Sequence, residues 1–243
     1  RTKGLVNTGS TTPPLRAMLR QGGLIQAANL LQLLNYRLAY YLIEYYQGLS
    51  ALGVYSVGTQ LSESAWIAPK SIGTVLYTRV SNASDGDGAR RLTLTSAKVA
   101  VILAGVVVVF VLLVPDTLYQ VLFGREIQGI APIVLLLAPG ILSMAVSQAF
   151  SHYFSGTGAN QHNLIGSGIG VIITVLVGTW AIPIYGLAGA AATASLAYAS
   201  NVTYQTVVFL RTTRSDLSDL LPSASDLERA RGFWEELRGR IVK

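Results

Sequence analysis

The chain has 243 residues, 51% hydrophobic and only 12% charged, with a formal net charge of +6 and a mean hydropathy of +0.47. A charged fraction about half the usual quarter excludes an ordinary soluble domain and predicts an all-α, polytopic membrane bundle. Cys is absent, which excludes a disulfide framework, thiol chemistry and a Cys-based zinc site.

Residues 1–21 carry Lys and Arg but no long apolar stretch. They are not a secretory signal and read as a cytoplasmic strap. The chain opens on Arg1 rather than Met, which reads as a cut made in a longer protein. A first crossing is predicted at 22–41. Tyr36, Tyr40, Tyr41, Tyr45 and Tyr46 crowd its far end like an interfacial aromatic belt. A longer second crossing is predicted at 52–80, kinked by Pro69. The third, 96–114, stops before Pro115 and Asp116.

From residue 127 to residue 210 there is no Asp, Glu, Lys or Arg. One crossing takes about 20 residues of helix. The run therefore supplies three more, at 130–150, 164–184 and 187–210, broken at 155–163 and 183–186. This gives six transmembrane helices in a lobe over 22–210, followed by a tail at 211–243. In the tail, Ser225 and Glu228 form a capping-box pattern. Leu227, Ala230, Trp234, Leu237 and Ile241 then repeat at helical spacing, as in an amphipathic helix suited to a membrane surface or a partner.

Alternating the crossings puts all Lys and Arg on one side except Arg37, Lys70 and Arg125. By the positive-inside rule both termini are cytoplasmic, in the cell (inner) membrane. The basic residues flank membrane helices, so they do not indicate nucleic-acid binding. The outer connections, 47–51, 115–129 and 183–186, leave no room for an outer catalytic domain. An enzyme is not expected.

A charge at mid-bilayer costs roughly 3 kcal/mol on insertion scales, so intramembrane charges mark cavities, buried contacts or snorkelling side chains. Arg37, close to Asn35, either projects into a polar cavity or snorkels to the outer headgroups. Glu63, among Gln60, Ser62 and Ser64, either lines a cavity as a coupling site or makes a buried structural hydrogen bond. Lys70, after Pro69, either lines the cavity or anchors the helix. The cavity candidates are Arg37, Glu63, Lys70, Asn35 and Gln60. Gly166, Ser167, Gly168 and Gly170, like Gly186 to Ala192, read as helix packing. His152 and His162 lack acidic or Cys neighbours, so neither a metal nor a cofactor is expected.

Two stretches carry a family likeness. Leu52-Gly53-Val54-Tyr55-Ser56-Val57-Gly58 resembles the LG-x-Y-S entry of bacterial polysaccharide-exporting flippases. Ile182-Pro183-Ile184-Tyr185-Gly186-Leu187-Ala188-Gly189-Ala190-Ala191-Ala192-Thr193 is similar to their P-x-YG-x-x-GAA-x-A-T turn. The resemblance covers nearly the whole chain, as the carboxyl-terminal half of an oligosaccharide flippase of the multidrug/oligosaccharidyl-lipid/polysaccharide exporter superfamily. It implies two six-helix lobes around a cavity with alternating access. The implied cargo is a polyprenyl-pyrophosphate-linked oligosaccharide, as in lipopolysaccharide and other cell-envelope polysaccharide biosynthesis. It also implies that Arg37 and Lys70 meet sugar or pyrophosphate charge and that Glu63 is a polar lining residue. The implied partners are the lipid-linked oligosaccharide, membrane lipids, and an amino-terminal lobe or a second chain. The rivals are a drug or small-molecule exporter of the same superfamily, a membrane polymerase or acyltransferase, and an assembly subunit.

Overall fold

A computed structural model describes residues 15–81, 86–125 and 127–221. Helix α1, Leu15–Glu63, bends at Gly48, whose φ of 84° is a left-handed value open to glycine. Its two limbs run antiparallel, because Tyr40 meets Tyr55 and Arg37 meets Glu63 across the bend. A 3₁₀ turn, Ser64–Trp66, and α2, Ile67–Ser81, continue the second limb. The kink expected at Pro69 is thus expressed just upstream, as a locally tightened turn. Pro69 itself lies in the first turn of α2, where a missing N–H is tolerated.

Helix α3 spans Gly86–Leu113 and α5 spans Ile130–Gly156. Helix α6, Gln161–Thr213, bends at Gly186 (φ 57°) into a second antiparallel hairpin. Helices α3, α5 and α6 are long and apolar enough to cross a membrane, and the 53 residues of α6 cross twice. With the two limbs built from α1 and α2, the bundle has six long limbs, the number of crossings that the sequence predicts. The connection 115–129, read from sequence as a loop, holds a short helix, α4, Asp116–Phe123. Pro115 caps it from an extended conformation, and the Tyr119 hydroxyl ties it to the Val111 carbonyl of α3 at 2.7 Å. Helix α3 also begins ten residues before its predicted crossing, because Arg90 and Arg91 are good helix formers that carry the helix beyond the apolar span.

Lipid tails are as apolar as Leu, so hydrophobic transfer does little to hold membrane helices together. Close packing replaces it. Ala190, Ala191 and Ala194 of α6 bury against Ile141, Met144 and Ala145 of α5. Gly140 lies so near Ser195 that a Cβ there would sit 2.5 Å from the Ser195 Cα. Large side chains such as Val106, Phe110, Leu176 and Trp180 point outward, where lipid receives them.

The bends expose backbone groups that lipid cannot satisfy, each at a cost of several kcal/mol. Side chains from neighbouring limbs meet them. The Gln47 amide donates to the Ile182 carbonyl at 3.0 Å, tying one hairpin bend to the other. The Gly140 N–H, beside Pro139, donates to Ser195 Oγ at 2.7 Å. The Trp66 indole, in the 3₁₀ turn, donates to the Ile141 carbonyl at 3.1 Å.

Where α3 starts and α6 ends, a 3₁₀ turn, Leu217–Leu220, docks on α3. Arg90 Nε donates to Ser215 Oγ at 2.5 Å, and Arg90 Nη2 reaches Asp219 Oδ2 at 2.6 Å. The amphipathic tail pattern from Ser225 onward lies outside the described residues.

Two outcomes are expected. Gly140→Val forces backbone apart and should cost about 1–3 kcal/mol, read as a lower unfolding midpoint of the detergent-solubilised protein. Gly53→Ala, where a Cβ meets nothing within 4 Å inside α1, should hold or raise that midpoint, since Ala is the better helix former. Separately, the Arg90 hydrogen bond, with help from the Asp216 amide, holds the Asp219 carboxyl below its ordinary pKa. Its contribution is therefore complete above the ordinary carboxylate range and lost as pH falls through the depressed value. Hydrogen exchange at 217–220 should accelerate in that acid window, and Asp219→Asn should remove the dependence.

Candidate functional site

The first hairpin and α2 gather the intramembrane charges. Arg37 Nη2 lies 3.6 Å from Glu63 Oε2, and the side chains are 41% and 17% exposed. The guanidinium also sits 5.0 Å from the centre of the Tyr40 ring. Glu63 Oε1 and the Tyr40 hydroxyl are buried with no hydrogen-bond partner among the described residues. Lys70 is not in this pair. It is exposed, with Nζ 5.9 Å from the centre of the Trp66 ring. Trp66 in turn packs on Tyr36 and Tyr198.

The other two candidates lie elsewhere. Asn35 is 2% exposed and is pressed into the gap left by Gly170 of α6. Its Oδ1 accepts a hydrogen bond from Thr174 at 3.3 Å. This joins α1 to α6. Gln60 is exposed, with no hydrogen bond among the described residues.

A polar trough runs between α1 and α5. Asn29, Gln32 and Tyr36 form one wall, and Gln148, Ser151 and His152 the other. It consists of two adjoining hollows of 190 and 270 Å³ that share Asn29, Gln32 and Gln148. Lys70 marks one end, and Asn160 and Asn163 the other. Arg37 and Glu63 do not line either hollow. The wall on the α5 side is held firmly. Asn163 donates to the Ser151 carbonyl at 3.0 Å and to Ser155 Oγ at 3.1 Å. Gln205, 1% exposed, donates to Asn163 and accepts from Ser147 at 2.6 Å.

Reasoning from charge alone passed over this trough, because every residue of its α5 wall is neutral at the ordinary state of its side chain or a histidine. A signal for it exists. Gln148, Ser151, His152 and Ser155 repeat at i, i+3, i+4 and i+7, which places them on one helix face. Asn29, Gln32 and Tyr36 do the same on α1. A polar stripe through an otherwise apolar span, like a charge, is costly to leave facing lipid. Among the described residues no group of three or more His, Asp or Glu converges to hold a metal.

Helices bent in pairs, packed through small residues and in three cases long and apolar enough to cross a membrane define a polytopic membrane protein. A family model described as polysaccharide biosynthesis protein matches residues 6–132. The chain belongs to that family. Its fold is similar to that of a solved structure described as MATE in complex with Br-NRF, with a TM-score of 0.52 at 17% identity. The similarity covers 88% of this chain and 52% of that one, so the chain spans about half the length of that structure. A search of curated proteins found no match.

If Arg37 and Glu63 stabilise one another, neutralising both should cost less than the sum of neutralising each. Arg37 is partly solvated, which screens the pair, so a coupling of about 1 kcal/mol is expected from a double-mutant cycle of Arg37→Gln and Glu63→Gln. Unfolding midpoints that add without coupling would remove the pair as a stabilising contact.

Proposed function

We propose that this chain forms one lobe of a flippase that moves a polyprenyl-pyrophosphate-linked oligosaccharide across the cell membrane by alternating access, without catalysing a chemical reaction. The observation that carries this is the polar trough ending at Lys70, in a member of a polysaccharide biosynthesis family. Transport of a glycan needs hydrogen-bonding groups at membrane depth, and the trough supplies amides, hydroxyls and one ammonium. A lipid diphosphate needs a cation, and Lys70 is the exposed one at that end. Its long stem lets the ammonium follow the cargo as the cavity changes shape.

A lobe of this kind needs a second lobe to close the cavity, in the same polypeptide or in another chain. The Lys and Arg distribution supports cytoplasmic termini, and the cell-envelope role supports the inner membrane. The similarity to a MATE fold supports a second reading, export of small molecules. A trough lined by neutral polar groups favours the glycan, since a cationic drug would call for an acid in the lining.

Complementation of a flippase-deficient strain tests the proposal. The protein in its native assembly should restore export of a lipid-linked glycan. Lys70→Ala should reduce that export roughly tenfold, the worth of one charge-assisted hydrogen bond, and Lys70→Arg should retain most of it. Resistance to drugs without restored glycan export would favour the second reading instead.

A further inference from the structure

The two ends of the trough differ in chemistry, and that difference has a direction. We infer that the neutral part of the trough, between α1 and α5, is a subsite for the uncharged, hydroxyl-rich segment of the saccharide, and that Lys70 marks where the diphosphate lies. This rests on the flippase reading and adds an orientation to it.

The first argument is the lining. Asn29, Gln32 and Gln148 are carboxamides, each offering donors and an acceptor side by side, while the Asn163 amide is taken up by the α5 wall. Sugar hydroxyls are donors and acceptors too, so they match amides without regard to charge. No carboxylate lines either hollow. Glu63, the nearest acid on this seam, faces Arg37 instead. The neutral walls therefore offer a cationic ligand no ion pair.

The second argument is spare hydrogen-bonding capacity. Gln148 and the ring nitrogens of His152 make no hydrogen bond among the described residues. Gln32 donates to the Tyr36 hydroxyl at 2.6 Å and leaves its carbonyl oxygen without a partner there. Polar groups at membrane depth are costly unless they meet water or a polar ligand. The Gln148 amide and the Gln32 carbonyl line one open space, whereas the Nε2 edge of His152 is set against Gly73 of α2.

The third argument is rigidity. The Asn163 and Gln205 network fixes the α5 wall before any ligand arrives, which lowers the ordering cost of binding. Asn29 and Tyr36 are seven residues apart on α1, as are Gln148 and Ser155 on α5. Each wall is therefore roughly 10 Å long at the helical rise. That length separates a sugar-reading end from a phosphate-reading end.

Binding to the protein in its native assembly, in nanodiscs, separates these roles. The probes are a polyprenyl diphosphate carrying a neutral disaccharide and the same polyprenyl diphosphate without sugar. The native protein should prefer the glycosylated probe by roughly tenfold, the worth of a few neutral hydrogen bonds. Asn29→Ala/Gln148→Ala should abolish that preference while still binding the bare diphosphate, which also shows that the variant is folded. Lys70→Ala should weaken both probes alike and keep the preference. If the double variant keeps the preference, the subsite assignment is wrong. If the native protein binds both probes equally, the subsite assignment is wrong and the flippase reading stands. If it binds neither, both fall.

Discussion

Hydrocarbon offers no hydrogen-bond partner, and the lobe is organised by that fact. A helix can cross lipid because it satisfies its own backbone, but this bundle is built from helices that bend. A bend or a helix proline leaves backbone groups without their helical partner, and side chains of neighbouring limbs reach the backbone at several points. Gln47 meets the Ile182 carbonyl, Ser195 the Gly140 amide, and Trp66 the Ile141 carbonyl. These contacts need helices close together, and the glycines and alanines of α5 and α6 allow it. The packing and the polar side chains are thus two answers to one constraint.

The same constraint picks out the working face. Within the bundle, polar groups such as Asn35, Ser147 and Gln205 find partners on adjacent helices. On the α1–α5 face they do not all do so. Gln148 lines open space, and Lys70 stands at its end, while His152 edges the same face against Gly73 and Tyr77 of α2. A membrane protein retains such groups where something polar passes. The Arg37–Glu63 pair lies beside this face and not in it. The pair neutralises two charges that lipid would penalise, on the hairpin that forms one wall.

Much of the architecture was legible in the sequence. The charge-free run 127–210, broken near Gly186, contained the last three limbs except the final turn of α6, which runs on to Thr213. Gly166 and Gly170 read as packing, and they face Asn201 and Asn35 in the structure. What stayed hidden has physical reasons. Helix α4 lay between Pro115 and Gly129 in a stretch too short for periodicity to show. The partner of Arg37 was out of reach because it lies across a hairpin, and sequence spacing shows neighbours only along one helix. The trough was overlooked because charge was the criterion, and its walls are mostly amide and hydroxyl. Their spacing at three and four residues was visible all the same.

The central claim is that the face between α1 and α5 is a hydrated path for cargo. These 243 residues contain no Cys, so a thiol introduced on this lobe is the lobe's only one. Single Cys residues at Gln148 and Asn29 should react with a membrane-impermeant thiol reagent, and a glycosylated polyprenyl diphosphate should protect them. Single Cys residues at Val106 and Leu176, on the lipid-facing surface, should remain unreactive. A Gln148→Cys protein as inert as Val106→Cys, or one whose labelling ignores the lipid-linked saccharide, would contradict the account.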